Sequence, residues 1–581
     1  MFKRLLKHAD HRSPHFKWIA LSNTTLGVLM ASINGSITII ALPAIFRGIG
    51  IDPLQPGNTN FLLWTLMGYM VCTAVLVVTF GRLGDMFGRA KMYNAGFAVF
   101  TLASIALSLI PGHGSGAAMY LIGMRIIQGI GGALLMANST AILTDAFPSN
   151  QRGLALGINT IAGIGGSFIG LLVGGLLADL HWRLVFWVSV PFGIIGTVWA
   201  YLALKDLGKR IPQKLDWLGN ITFAAGLILL LVGITYGIQP YGSHVMGWTS
   251  PKVLSYIIGG LVLLAGFVLV ERRVKNPMFN LQLFRIRAFA AGNIASLLSA
   301  IGRGGLQFML IIWLQGIWLP LHGYSFEQTP LWAGIFMLPL TVGFLVAGPL
   351  SGYLSDHFGA RPFATGGMVL GAISFGLLML LPADFSYWGF AFFIFLNGVG
   401  SGLFAAPNSS GIMNSVPAGE RGQASGMRST TMNAGMVLSI GVFFSLIILG
   451  LANTLPQTLK SQLTAQHVPA AVAQQVADAP PVGSLFAAFL GYNPMSKMIP
   501  AGTLHALPAK NQAALTGHDF FPNLISQPFM HGLKIAFTFS LVLFVLAAIA
   551  SWLRGGKYVH QEPDEETQED TTRAERELVN V

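Results

Sequence analysis

Long apolar segments, separated by short polar or basic stretches, run from near the start of the chain to near its end. A helix that crosses the hydrocarbon core of a bilayer needs about 20 mostly apolar residues. Fourteen segments have this character, at about 18–45, 61–80, 92–111, 118–146, 154–178, 184–204, 218–239, 252–270, 288–318, 330–350, 363–382, 388–415, 423–450 and 530–553. The pattern predicts an all-α integral membrane protein, and the even number of spans places both termini on one side of the membrane.

Three short strings occur twice, in the same order, and indicate a duplicated half. The first pair is Gly81-Arg-Leu-Gly-Asp85-Met-Phe-Gly88-Arg89 and Gly352-Tyr-Leu-Ser-Asp356-His-Phe-Gly359-Ala-Arg361. The other pairs are residues 128–134 with 397–403 and 148–157 with 417–426. Two related halves around a site near the middle of the membrane are typical of secondary transporters, so we predict a transporter.

The repeats predict five regions along the chain. These are an N-terminal tail at 1–17, a six-helix half at 18–204, a linker with two inserted spans at 205–287, a second six-helix half at 288–553, and an acidic tail at 554–581. The tail is predicted to be disordered, with acidic residues from Glu562 to Glu577.

The segment at 451–529, between the last two spans, is predicted to lie outside the membrane. We expect a structured cap, with a gate or a partner-docking surface as alternatives. Within it, Ser461–Ala477 is predicted to contain amphipathic helix and Phe486–Leu490 to lie in the membrane interface.

Composition supports a membrane protein. A mean hydropathy of +0.64, with 53% hydrophobic and only 10% charged residues, excludes a soluble protein of this length. Most basic residues behind the net charge of +12 lie on loops on the side of the termini, which the positive-inside rule places in the cytoplasm. This distribution accounts for the charge without nucleic acid. The single Cys72 excludes an intramolecular disulfide, and the first apolar run is predicted to be a span and not a cleaved signal peptide.

Further motifs accompany the Gly81–Arg89 string. They are Arg125 with Gln128-Gly-Ile-Gly-Gly, the run Gly166–Gly175, Trp182-Arg183-x-x-Phe186-x-x-x-Val190-Pro-Phe-Gly193, and Asp216-Trp-Leu-Gly219. Together they resemble the major facilitator superfamily, and within it the fourteen-span drug:proton antiporters of the EmrB/QacA type. The resemblance implies the major facilitator fold, with two pseudo-symmetric halves plus two inserted helices. It also implies drug efflux across the cytoplasmic (inner) membrane by proton antiport and alternating access.

Two positions depart from that family's pattern. Asn34 stands where the family usually has an acidic residue in span 1, and Leu171 stands where its span-5 motif usually has proline. The first departure concerns the proton site, and the second concerns helix bending.

Polar side chains within the spans are the candidates for the substrate and proton pathway. Arg125 and Gln128 share one side of span 4, and a buried charge normally faces a cavity or a partner. The alternative is an arginine that caps carbonyls of a neighbouring helix. Ile394 occupies the matching position of the second half, which favours a functional role. The other pathway candidates are Asn34, Thr38, Asp145, Arg303, Gln307 and Asn397.

Alternatives stay open for these candidates too. Asn34 and Thr38 share a face of span 1 and are expected to bind substrate or a neighbouring helix. Arg303 either faces the cavity or lies near a turn in a broken helix.

The repeated loop is predicted to form a cytoplasmic gate, in which ion pairs latch the two halves together in one state and break in the other. The alternative is a plain turn carrying positive-inside charges. The gate residues are Gly81, Asp85, Gly88, Arg89, Gly352, Asp356, Gly359 and Arg361.

Small residues in span 5 repeat every four positions, which allows close helix packing. They are Ala162, Gly166, Gly170, Gly174 and Ala178. The resemblance associates this motif with exporters, and we expect the stripe to form a smooth seam against the other half.

Acidic residues lie in loops, tails or helix ends, so the predicted cavity holds arginine without a central carboxylate. Such a cavity favours neutral or anionic amphiphiles over dicationic compounds. Proton coupling would then use Asp85, Asp145 or the substrate itself.

No phosphate-binding loop, metal-ligand spacing or nucleophile motif is present, so we expect no enzyme activity, no catalytic residue, no metal and no cofactor beyond the proton gradient. The predicted partners are a small amphiphile, protons and the lipid bilayer, and a periplasmic adaptor protein stays open. The alternative functions are an uptake or metabolite-exchange carrier on the same fold, and a membrane scaffold or sensor that does not transport.

Overall fold

The computed structural model describes residues 15–556, apart from 53, 56, 149–150, 207–215, 243, 275–276, 278, 418–419 and 492; at 152–154, 356 and 422 it describes the backbone alone. The predicted disordered tail lies outside these residues.

Within the described residues, fourteen helices are long and apolar enough to cross a membrane, as the apolar pattern predicts. We number them α1–α13 and α19, since five short helices precede the last. Their bounds are Phe16–Gly48, Asn58–Phe87, Arg89–Ser108, Gly114–Ala146, Ala155–Leu180, Leu184–Ala203, Trp217–Gly237, Pro251–Glu271, Arg287–Leu321, Thr329–Ser355, Ala360–Met379, Tyr387–Asn414, Gln423–Ala465 and, for α19, Phe520–Trp552. The short helices α14–α18 are Ala470–Ala477, Pro481–Phe489, Met495–Met498, Ala501–Ala506 and Ala509–Thr516.

Equivalent helices pack in equivalent pairs in the two halves. In the first half, α1 packs on α5, α2 and α3 pack on α4, and α3 packs on α6. In the second half, α9 packs on α13, α10 and α11 pack on α12, and α11 packs on α19. Each half is therefore a bundle with the same internal arrangement.

The start of α1 and the end of α19 define one face of the bundle, here called the terminal face; the opposite one is the distal face. Phe16, Arg89 and Asp145 line one small cavity at the terminal face, which places the ends of α1, α3 and α4 together. The halves meet towards the distal face, where the Nε2 of Gln315 in α9 donates to the Ile40 carbonyl of α1 at 3.2 Å.

The inserted helices α7 and α8 form an antiparallel pair. Their backbones approach closely where Gly226 faces Gly260, because neither residue has a side chain there. The pair contacts both halves: Asn220 accepts a hydrogen bond from Thr79 of α2, and Ile234 packs at Gly441 of α13. The inserted pair therefore covers part of the seam between the halves.

Helix α13 is longer than predicted and continues to Ala465. Beyond the predicted end at 450, Leu451, Leu455, Leu459 and Leu463 follow at four-residue spacing, and all are buried. This part of α13 packs against the short helices α14 and α15 at the distal face, so the helix does not end at the membrane surface. Helix α14 provides the predicted helical stretch up to Ala477, and α19 begins at Phe520, before the predicted 530.

Helix α15, Pro481–Phe489, lies inside the protein and not in the membrane interface that the sequence predicts for Phe486–Leu490. The reason is that the helix is apolar on all sides and packs among protein side chains. The ring of Phe486 lies 5.3 Å from that of Phe444, and the ring of Phe489 lies 5.3 Å from that of Phe308, measured between centroids.

Candidate functional site

Arg125 is the centre of a buried polar cluster in the first half. Its side chain is 1% exposed, yet α4 places it among groups that it can bind. The Nη1 donates to the Asn34 Oδ1 at 2.5 Å and to the Gln128 Oε1 at 2.7 Å, and the Nε donates to the Thr65 carbonyl at 3.3 Å. The hydrogen-bonding needs of this guanidinium within the membrane are thus met at the point where α1, α2 and α4 come together.

The cluster extends to α3 and α6 through the two amides. The Gln128 Nε2 donates to the Ser104 Oγ at 2.8 Å, and the Asn34 Nδ2 donates to the Ser189 Oγ at 3.4 Å. The Arg125 guanidinium lies 4.6 Å from the centroid of the Tyr69 ring, a cation–π contact. Every partner described for Arg125 is neutral, so its positive charge is hydrogen-bonded but not compensated.

Three predicted pathway residues therefore come together, Asn34, Arg125 and Gln128. Thr38 lies beside them on α1, but its hydroxyl donates to the Asn34 carbonyl of the same helix at 2.9 Å. The bond to the Thr65 carbonyl also fulfils the alternative role of Arg125 as a cap. Ser104, Ser189 and Tyr69 were not predicted as members of the cluster, because serine and tyrosine are ordinary in apolar helices.

The second half places its candidates elsewhere. The guanidinium of half-buried Arg303 lies 5.9 Å from the centroid of the Phe344 ring. It precedes a break in α9 at Gly305, whose N–H donates to the Ser439 Oγ at 2.8 Å, so the predicted alternative of a broken helix is what the structure shows. Gln307 follows this break. None of the contacts described for these residues involves Arg125.

Asn397 is fully buried in α12, and neither its amide nitrogen nor its amide oxygen has a hydrogen-bond partner among the described residues. A buried amide without partners is costly, which marks this position for a bound polar group or water. Arg428 of α13 is a further arginine within a span, with a buried Nε that has no hydrogen-bond partner in the described structure. The sequence contains this signal, an arginine within an apolar segment, but our prediction did not use it.

At the terminal face, Arg89 joins the ends of α2 and α4. Its Nε donates to the Asp85 Oδ1 at 2.8 Å, and its Nη1 lies 2.6 Å from the Asp145 Oδ1. Gly88 turns the chain between α2 and α3 with a φ of 110°, which favours glycine, and the Asp206 Oδ1 accepts from the Ala90 N–H at 2.7 Å.

In this structure Arg89 pairs with Asp85 and Asp145 of its own half, so the predicted latch between the halves stays a prediction. The physical reason is that α4 ends directly beside the start of α3. The second copy has diverged, because Ala360 follows Gly359 where Arg89 follows Gly88.

Arg361, in the second copy of the loop, also contacts a residue of its own half. Arg361 stacks on Trp552 of α19, with its guanidinium carbon 3.7 Å from the ring. Gly359 has a φ of 84°, matching Gly88. Gly81 and Gly352 lie in the last turns of α2 and α10, and the side chain of Asp356 lies outside the described structure.

A second cation is buried at the terminal face of the second half. Arg554 is 5% exposed and donates to the Asn408 Oδ1, while the Asn408 Nδ2 donates to the Ser296 Oγ at 2.7 Å. Burial lowers the pKa of Arg554 to about 10, so the side chain stays charged at neutral pH. The sequence did not single out Arg554, because it lies at the polar end of the last span.

The glycine stripe of α5 packs on α1, not on the other half as predicted. A Cβ at Gly166 would lie 2.8 Å from the Leu29 carbonyl oxygen, and one at Gly170 would lie 2.5 Å from that of Ile33. Gly174 faces Ile37 and Ile40 of the same helix. A different face of α5 meets the second half: the backbone of Leu171 lies against Gly334, and Gly175 lies against Leu331. The correction follows from the fold, because α1 is the neighbour of α5 within the bundle.

Known proteins agree with this architecture. The sequence matches the family model described as Major Facilitator Superfamily over residues 24–440. The chain belongs to the major facilitator superfamily, and it is a multi-pass membrane transporter and not an enzyme. A solved peptide transporter of the POT family, in complex with sulfate, aligns with a TM-score of 0.55 over 86% of this chain and 99% of that chain, at 15% identity, which shows a shared fold.

Two relatives are similar in sequence over most of their length. The tetracenomycin C resistance and export protein of Streptomyces glaucescens is 27% identical over 95% of this chain and 94% of its own. The riboflavin transporter of Clostridioides difficile is 29% identical over 77% of this chain and 92% of its own. Both relatives are thus named as transport proteins, but the compounds in their names differ.

Proposed function

We propose that the protein exports small amphiphilic compounds across the cytoplasmic membrane by proton antiport and alternating access. The single observation that carries the substrate part is Arg125, a buried cation whose described partners are all neutral. The excess of basic residues on the side of the termini supports cytoplasmic termini, so that the terminal face is the cytoplasmic one.

The charges within the spans favour neutral or anionic substrates. Arg125, Arg303 and Arg428 lie inside membrane helices, whereas the acidic residues of the described helices lie in their last turns. A dication entering between the halves would meet this positive charge in a medium of low dielectric constant, where repulsion is strong. An anionic group would be attracted to these arginines, and a neutral amphiphile would be neither attracted nor repelled.

The Streptomyces glaucescens relative favours export over uptake, because it is named as a resistance and export protein and aligns over nearly the full chain. The riboflavin transporter supports the alternative, an uptake or exchange carrier on the same fold. The energy for export would come from the proton gradient, with Asp85 and Asp145 as candidate proton carriers because both lie at the terminal face and share Arg89.

Substrate-triggered proton movement in inside-out vesicles tests this function. An acidic lumen is imposed, a fluorescent pH reporter follows it, and the vesicles receive an anionic, a neutral or a dicationic compound, with methyl viologen as the dication. An antiporter that exports is expected to release lumenal protons on addition of neutral or anionic amphiphiles, and to respond least to methyl viologen.

Variants at position 125 identify the site. Arg125→Ala is expected to abolish the response, while Arg125→Lys retains the charge and is expected to keep part of it. Arg273→Ala, an exposed arginine at the end of α8, serves as the matched control. Proton release that persists in Arg125→Ala would refute the assigned site. Transport that proceeds without proton movement would support the carrier alternative.

A further inference from the structure

Three arginines from different helices meet at the end of α19, on the terminal face. Arg287, at the start of α9, is exposed, and its Nε donates to the Leu553 carbonyl at 2.6 Å. Arg361, at the start of α11, lies over Trp552, with its guanidinium carbon 3.7 Å from the ring centroid. Arg554 follows directly and is 5% exposed. We call Arg287, Arg361 and Arg554 the arginine cluster, because all three lie where the chain leaves α19.

The positive charge of the arginine cluster is not compensated within the described structure. None of its members forms an ion pair with another described residue, and their partners are a carbonyl, an indole ring and the Asn408 amide. The Nε of Arg361 and both the Nε and the Nη1 of Arg554 are buried without a hydrogen-bond partner among the described residues. Buried cationic donors without acceptors are costly. Asp356, next to the end of α10, would supply one negative charge against three.

A block of acidic residues follows the arginine cluster in the sequence. Gly555 has a φ of 93°, a conformation that favours glycine, so the chain can change direction after α19. The six Cα–Cα steps from Gly556 to Glu562 span at most about 20 Å. The block at 562–570 contains no basic residue and six acidic ones, which are Glu562, Asp564, Glu565, Glu566, Glu569 and Asp570. It is therefore within reach of the arginine cluster and has the opposite charge.

Two kinds of anion are available to arginines at this face, the carboxylates of the acidic block and the phosphates of lipid headgroups. The observations favour the block, because it is attached to the same helix end as the arginine cluster. A short linker gives an attached group an effective concentration of about 1 mM or more. Several carboxylates can also form a network of ion pairs, whereas a single exposed ion pair contributes little.

We propose that the acidic block 562–570 docks on the arginine cluster and holds the end of α19 against α9 and α11. Exposed Arg287 and partly exposed Arg361 receive its carboxylates, and Arg554 beneath them adds to the positive potential. The three helices belong to the second half, so the contact leaves the seam between the halves free to open. The docking depends neither on the substrate nor on the direction of transport, so it goes beyond the proposed function and is tested separately.

Electron paramagnetic resonance distances in the full-length protein test the docking. Spin labels are attached at Phe358→Cys, a 72% exposed position beside the Gly359 turn, and at Thr567→Cys within the acidic block, in a Cys72→Ser background. In nanodiscs of phosphatidylcholine at about 0.01 M salt, a short distance with a narrow distribution is expected. At about 1 M salt, where the Debye length falls to about 3 Å, the distribution is expected to broaden and to shift to longer distances.

Charge variants on each side of the contact are expected to give the broad distribution already at low salt. On the cluster, Arg287→Gln is combined with Arg361→Gln, and buried Arg554 is left in place. On the block, Asp564→Asn, Glu565→Gln and Glu566→Gln are combined. Lys252→Gln with Lys510→Gln also removes two positive charges, but from exposed positions on the distal face, and is expected to keep the distance of the parent.

Size-exclusion chromatography and thermal unfolding show that each variant is folded. A broad distribution in the parent at low salt overturns the proposal, as does a short distance that persists in both sets of charge variants. The measurement is repeated in nanodiscs that contain phosphatidylglycerol, where the short distance is expected to remain. Its loss there would show that lipid headgroups occupy the arginine cluster, and would overturn the assignment of the acidic block.

Discussion

The Arg89 guanidinium lies 2.6 Å from the Asp145 carboxylate and so ties the start of α3 to the end of α4. About a quarter of each side chain is exposed, so the pair is screened only in part. We expect Asp145→Asn to lower the free energy of unfolding by about 1 kcal/mol. Thermal unfolding in detergent measures this effect, and a double-mutant cycle with Arg89→Gln isolates the pair. Additive effects of the two substitutions would show that the ion pair does not contribute.

The seam between α5 and α10 gives a prediction about alternating access. A Cβ at Gly334 would lie 3.7 Å from the Leu171 Cβ, within the range of disulfide-bonded cysteines. Leu171→Cys with Gly334→Cys, in a Cys72→Ser background, is expected to form a disulfide on oxidation and to stop transport. Reduction is expected to restore transport, because the distal ends are free to separate again. The two single-cysteine variants are the controls, and full transport by the cross-linked protein would contradict rocking of the halves at this seam.

Gly170 and Gly165 form a matched pair for the packing of α5 on α1. A side chain at Gly170 would collide with the Ile33 carbonyl, whereas a Cβ at Gly165 meets no atom within 4 Å. We therefore expect Gly170→Leu to abolish transport and Gly165→Leu to leave most of it. Transport is measured together with the abundance of each variant in the membrane. Equal activity of the two variants would show that the close approach of α5 to α1 is not required.

Asn34 offers a test of the charge argument for substrate choice. Its Oδ1 accepts from Arg125, so Asn34→Asp would place a carboxylate against the guanidinium without a change of shape. The neutralised cluster is expected to repel cations less, because Coulomb repulsion inside the membrane is strong. Uptake of methyl viologen into inside-out vesicles is expected to rise relative to uptake of an anionic amphiphile. Asn34→Ala, which removes the amide without adding charge, should not produce this change.

The membrane helices could be predicted from the sequence because about 20 consecutive apolar residues have few alternatives to a span. The Arg125 cluster could be predicted in part: Arg125 and Gln128 share a helix face, but the pairing with Asn34 depends on how α1 and α4 meet. The partner of the glycine stripe could not be predicted, since small residues at Gly166 and Gly170 show that a helix approaches closely but not which helix it is.

Helix α13 has a consequence for how motion of the second half is observed. Its 43 residues correspond to about 65 Å, roughly twice the thickness of the hydrocarbon core. The leucines at 451, 455, 459 and 463 fasten the distal helices to this extension. The extension is a lever arm: a small rotation of the second half within the bilayer becomes a much larger sweep at its tip. A fluorophore at exposed Gln474, on α14 next to this extension, would report a tilt that is too small to resolve among the helices themselves.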